Sequence, residues 1–156
     1  MKTRIVPALA LILVLLTVSS TSVAAKVATV PFRVALQTFP VETGFDPVTG
    51  ILSWDIPGED RATHLGRSTF ESVSYVYLYS PYPYRQVSDA ALIAANGDRL
   101  NLAFEGTVVP GAFEGEWWID ENGTGRFDGV TGSGVYWGGF DGEEWHLYME
   151  GTLTKP

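Results

Sequence analysis

A chain of 156 residues with 46% hydrophobic side chains can bury one core of domain size. It has no cysteine and a net charge of −8. Disulfide staples are therefore excluded, and the excess of acid argues against partners held by clustered Lys and Arg, such as nucleic acid or an anionic membrane surface.

In chain order, residues 1–25 read as a leader outside the fold. Lys2 and Arg4 start it, an apolar run follows from Ile5 to Leu16, and small residues close it at Val23-Ala24-Ala25. Basic, apolar, then small is the layout of a secretory signal peptide, and the run is shorter than the roughly 20 residues that span a bilayer. Cleavage is expected after Ala25, leaving Lys26 first. An uncleaved N-terminal anchor is the less favoured alternative. Loss of Lys2 and Arg4 takes the net charge from −8 to −10, which suits solubility outside the cell. The localisation expected is secreted, extracellular or periplasmic, with no membrane contact after cleavage.

The mature region, 26–156, reads as one domain of short strands. Val34, Leu36 and Thr38 alternate with Arg33, Ala35 and Gln37, a strand pattern broken at Pro40 and again over 44–47. Ile51 to Ile56 is a short strand closed by Pro57-Gly58, and Glu59 to Thr63 reads as a polar loop. His64 to Leu78 is a long strand candidate with bulky residues on both faces. Pro81-Tyr82-Pro83-Tyr84 must leave the sheet. Val87 to Ala95 and Arg99 to Val109 flank Asn96-Gly97-Asp98, a hairpin signal. Phe113 to Ile119 alternates, Asp120 to Gly125 turns, a glycine-rich irregular turn covers 125–134, and Val135 to Phe140 and Glu143 to Leu153 form the last hairpin about Asp141-Gly142.

Five triplets punctuate the second half: Phe104-Glu105-Gly106, Phe113-Glu114-Gly115, Phe127-Asp128-Gly129, Phe140-Asp141-Gly142 and the weaker Met149-Glu150-Gly151. Their spacing suits antiparallel strands and turns, and is too tight for strand-helix-strand units. The fold class expected is all-β, an eight-stranded antiparallel barrel in which closure removes exposed edges. A two-sheet sandwich is the alternative.

Chemistry is harder to find. The tentative ligand-binding set is Trp54, His64, Arg67, Tyr75, Tyr77, Trp117, Trp137 and Trp145. The aromatic members could line a cavity for a flat apolar ligand, or simply fill a barrel core, with Trp118 as a further candidate. His64 and Arg67, three apart, fall on opposite faces of a strand; they could hold a carboxylate at the barrel mouth or anchor a loop. The proline-stiffened loop with Tyr79, Tyr82 and Tyr84 is either a contact surface or a plug. Glu114 with Glu116, and Glu144 with His146, share strand faces, but alternating acids usually mark a solvated wall. Two histidines without metal-binding spacing make a zinc site improbable, and 120–123 lacks the spacing of a calcium loop. The segment 123–128 misses the dinucleotide fingerprint. Asn122-Gly123-Thr124 matches a glycosylation sequon. No cofactor, metal or catalytic residue is assigned.

Three passages carry a resemblance: Ala62-Thr63-His64-Leu65-Gly66-Arg67-Ser68-Thr69, then Ala95-Asn96-Gly97-Asp98-Arg99-Leu100, and Gly123 to Gly134 with the closing Glu150-Gly151-Thr152-Leu153. Over roughly residues 60–155 the chain resembles the small secreted bacterial proteins related to the allene oxide cyclase and dirigent barrels. The resemblance implies a calycin-like, eight-stranded barrel with an apolar interior. Plant members bind fatty-acid-derived or phenolic substrates and steer their cyclisation or coupling, and they assemble as trimers, so an oligomer stays open. The leading expectation is a non-catalytic secreted module holding a small apolar molecule. A cyclase or isomerase acting by confinement and a structural or interaction protein of the cell exterior are the alternatives. These differ in whether the barrel is hollow, hollow with a convergent polar group, or packed.

Overall fold

The structure is a computed structural model that describes residues 27–121 and 123–155. The expected leader, the expected cleavage site before Lys26, and the sequon residue Asn122 lie outside the described residues. Ten strands run β1 (Ala28–Thr38), β2 (Val41–Asp46), β3 (Ile51–Asp55), β4 (Gly58–Ala62), β5 (Gly66–Tyr77), β6 (Tyr84–Ala94), β7 (Arg99–Val109), β8 (Ala112–Ile119), β9 (Thr131–Phe140) and β10 (Trp145–Lys155). A single short 3₁₀ turn, Gly125–Phe127, is the helical element among the described residues.

These ten strands occupy eight barrel positions. Thr38 of β1 lies opposite Gly58 of β4, and Val41 of β2 lies opposite Asp55 of β3, so one hairpin register continues through both pairs. The interruption falls at Pro40 and Pro57, which have no N–H to give a ladder. The Phe39 N–H donates to the Pro57 carbonyl at 2.8 Å and carries the pairing across the kink. β5 then pairs with β4 over its first half and with β3 over its second. From β5 the chain meanders through β6, β7, β8, β9 and β10, each antiparallel to the last. β10 pairs with β1 and closes an eight-stranded antiparallel barrel.

Three expectations over the first strands are corrected. Glu59 to Thr63 is mostly strand, because β1 and β5 flank it and both pair with it. Residues 41–46 are also strand, paired to β3 on one edge, although every residue there is exposed. The long strand begins at Gly66, not His64. His64 has a positive φ of 67° and sits in the turn that sends Leu65 into the core.

Alternation puts Phe32, Val34 and Leu36 of β1 inside, with Leu92, Leu100, Leu102, Phe104, Trp117, Tyr136, Leu147, Met149 and Leu153. Three of the repeated triplets explain themselves here. In β7, β8 and β10 the large apolar residue and the glycine face in and the acid between them faces out. Gly106 lies opposite Gly115, and Gly134 opposite Gly151, so the interior alternates bulk with bare backbone. One end is plugged by Leu65, Phe127 and Val130, all buried. The plug is tied down by the Thr124 N–H to the Arg99 carbonyl at 2.8 Å, the Arg99 N–H to the Thr124 hydroxyl at 2.9 Å, and Lys155 Nζ to the Arg126 carbonyl at 3.0 Å. At the other end β10 stops opposite Thr38 while β2 runs on with one edge unpaired, so the wall splays open.

Candidate functional site

The open end of the barrel leads into a cavity of about 370 Å³. It reaches from Pro40, Leu78, Pro110 and Trp145 at the rim down to Phe70, Phe104, Tyr136 and Leu147, which belong to the packed core and form the floor. Its walls are mostly apolar, with Leu52, Trp54, Ile56, Val76, Val108 and Phe113 among them. The cavity exists because one wall is built from small side chains. Ser72 and Ser74 of β5 and Ser88 of β6 face inward where the packed end carries Phe32, Leu92 and Leu100, and Ser74 lies opposite Ser88. Hydroxyl side chains of that size leave the centre of the barrel unfilled.

Polar atoms gather on this wall and the floor. Gln86 of β6 is 8% exposed, and its side-chain N–H donates to the Ser74 hydroxyl at 2.7 Å. The Gln86 amide oxygen is buried without a partner among the described residues. Tyr136 of β9 is 3% exposed, and its hydroxyl is likewise buried and unpartnered. Its ring meets Phe104 edge-on at 5.0 Å between centroids. It is laid down across β8 and β7 by the glycine pair: a Cβ at Gly115 would come within 2.8 Å of its Cε1, and one at Gly106 within 2.7 Å of its hydroxyl. Gly106 in turn lies opposite Gln86. The phenol is thus brought over the residue that neighbours Gln86 on the same face, and directly opposed Cβ atoms are about 5 Å apart. Burial pushes the Tyr136 pKa far above its usual value, with the nearby Glu105 charge adding to the rise, so the hydroxyl stays a neutral donor. Tyr84 and Tyr136 are the titratable side chains among the described lining residues.

Compared with known proteins, the chain matches no family model and no curated protein. What the site can do therefore rests on its own residues.

Of the eight residues singled out in the sequence, the structure brings two to the cavity. Trp54 lines one wall, and Trp145 stands at the rim, stacked on Phe113 at 6.3 Å. Trp117 also points inward but belongs to the packed half. It is fully buried, 5.3 Å from Phe32, and its indole N–H donates to the Glu150 carbonyl at 3.2 Å. Tyr75 and Tyr77 take the outer face of β5, since Ser74 and Val76 hold the inner one; Tyr75 is 37% exposed and Tyr77 carries the Arg85 guanidinium over its ring. Trp137 is 40% exposed on the outside of β9 and stacks on Tyr148 at 5.9 Å. His64 and Arg67 are exposed near the plugged end, and His64 Nε2 donates to the Pro31 carbonyl at 2.8 Å, tying the turn to β1. They do not converge on the cavity.

The loop tyrosines divide as well. Tyr84 lines the cavity, Tyr82 is exposed and packs edge-on against it at 5.5 Å, and Tyr79 reaches over the β2–β3 turn to donate to the Pro47 carbonyl at 2.8 Å. Glu114 and Glu116 face outward, as expected of a solvated wall. No cluster of three or more metal-ligating side chains occurs among the described residues.

Sequence reasoning missed Ser72, Ser74, Gln86, Ser88 and Tyr136. Ser68, Ser72 and Ser74 do share one parity along β5, but with Phe70 and Val76, while Tyr75 and Tyr77 stand on the other.

Proposed function

We propose that the protein is a secreted carrier that holds a small, mainly apolar molecule in the open half of its barrel. The observation that carries this reading is the cavity itself, apolar-walled and about 370 Å³. Pockets that bury small ligands have this character: mostly apolar surface with a few placed polar groups. At about 30 Å³ per small group, the space suits on the order of a dozen non-hydrogen atoms. The secreted location rests on the basic, apolar and small-residue layout of residues 1–25. Membership of the allene oxide cyclase and dirigent type rests on the motifs between residues 60 and 155, with which a closed antiparallel barrel is consistent.

Holding is favoured over converting because, among the described residues, the lining offers no carboxylate, imidazole or amine to take a proton. A cyclase or isomerase built here would have confinement and the Tyr136 hydroxyl at its disposal and little else.

Native mass spectrometry of the mature protein from its own culture medium tests the reading. An adduct of small organic mass, lost on denaturation, is expected. A bare polypeptide mass, together with failure to bind added apolar probes, would overturn it.

A further inference from the structure

The geometry points to an uncharged polar group on the ligand, one that carries a hydrogen-bond donor and an acceptor side by side, as a carboxamide does, seated between Gln86 and Tyr136. This deepens the carrier reading and rests on it. The two side chains leave complementary atoms open. The Gln86 amide oxygen can only accept, and the Tyr136 hydroxyl is free to donate. Both belong to residues more than nine-tenths buried, and both line the cavity. A buried polar atom without a partner is costly, so a native barrel that keeps two of opposite kind beside one cavity has the form of a receptor for a matching pair. An amide supplies its N–H to Gln86 and its C=O to Tyr136.

The same wall rejects a carboxylate. Among the described lining residues there is no Lys, Arg or His to neutralise it, and an unpaired buried anion is strongly disfavoured. The Glu105 charge, which already bears on Tyr136, acts in the same direction. The apolar remainder of the ligand would run from this seat past Trp54 toward Trp145 at the rim.

The test is a matched series of probes about a dozen non-hydrogen atoms long: decanamide, decanoate and decane, added to the mature protein at neutral pH. Binding is read from the fluorescence of the two cavity tryptophans and checked by native mass spectrometry. Decanamide is expected to bind at least about tenfold more tightly than either of the others, the value of one well-made pair of hydrogen bonds. Tyr136→Phe and Gln86→Leu, each confirmed as folded by far-ultraviolet dichroism, are expected to erase that preference, read within each variant as the ratio of decanamide to decane affinity. Decanoate binding as tightly as decanamide would overturn the inference, and so would an amide preference that survives in both variants. Decane and decanamide binding equally well would overturn it too, yet leave the carrier reading standing. Failure of every probe to bind would remove both.

Discussion

At the residue scale, several polar side chains are occupied with structure. Asp141 is one. Its Oδ1 accepts the Glu143 and Glu144 N–H groups, both at 2.9 Å, and its Oδ2 meets His146 Nε2 at 3.0 Å. The Glu144 and Glu143 backbone bonds, in that order, and then His146 hold the carboxyl below its usual 3.8. A carboxylate depressed in the folded state stabilises the hairpin above its unfolded value, and the effect fades as pH falls through the folded one. The affected window is therefore acid, below about pH 4, and neutral pH is untouched. Carboxyl-carbon NMR titration should place Asp141 below the ordinary aspartate range, and Asp141→Asn should leave the tip of the β9–β10 hairpin insensitive to acid. A midpoint at or above the ordinary value would contradict this. The His64 hydrogen bond to the Pro31 carbonyl is of the same kind, and Arg67 is exposed near the plugged end, so the two do not assemble a mouth site.

At the scale of the element, the glycines of β9 and β10 are spacers. A Cβ at Gly151 would lie 2.6 Å from Trp117 Cζ2 and 2.8 Å from the Gly134 Cα, so both an inward ring and a facing strand depend on its absence. Gly151→Ala should cost about 1–3 kcal/mol in urea unfolding, the range for overpacking a filled core. An unchanged midpoint would mean that the Trp117 half of the barrel yields more readily than its burial implies. Eight of the ten strands were legible in the sequence, most sharply those with strict alternation and a hydrophobic interior: β1, β7, β8 and β10. β4 escaped because Gly-Glu-Asp-Arg-Ala has no apolar stripe of its own; it is strand because two neighbours pair with it. β2 escaped because all six residues face solvent. On β5 the strand was legible and its orientation was not. Tyr75 and Tyr77 outweigh Ser72 and Ser74 in any burial scale, and serines turn inward only where the barrel has room to spare, which is a property of the closed barrel and not of one strand.

At the scale of the molecule, one barrel combines two interiors. Around Trp117, Phe32 and Phe127 it is filled and plugged, and this half makes the fold self-supporting without a disulfide. Around Ser72, Ser74 and Ser88 it is hollow, and nothing in the packed half requires it to be so. A purely structural barrel would gain by filling that space, because each buried leucine contributes about 1.5–3 kcal/mol over leaving it exposed. Ser88→Leu makes the trade visible. Ser88 lies opposite Phe104 and Ser74, faces the cavity and makes no bond on which Gln86 depends. The variant should unfold at the same temperature as the natural chain or a few degrees higher, and should lose the small-molecule adduct. Thermal unfolding and native mass spectrometry of the same sample report the two quantities separately. A more stable barrel that no longer carries its ligand would show that the hollow is kept for the ligand. A less stable barrel that still carries it would put the ligand elsewhere on the molecule, and the exposed Trp137–Tyr148 stack on the outer wall would then be the next place to look.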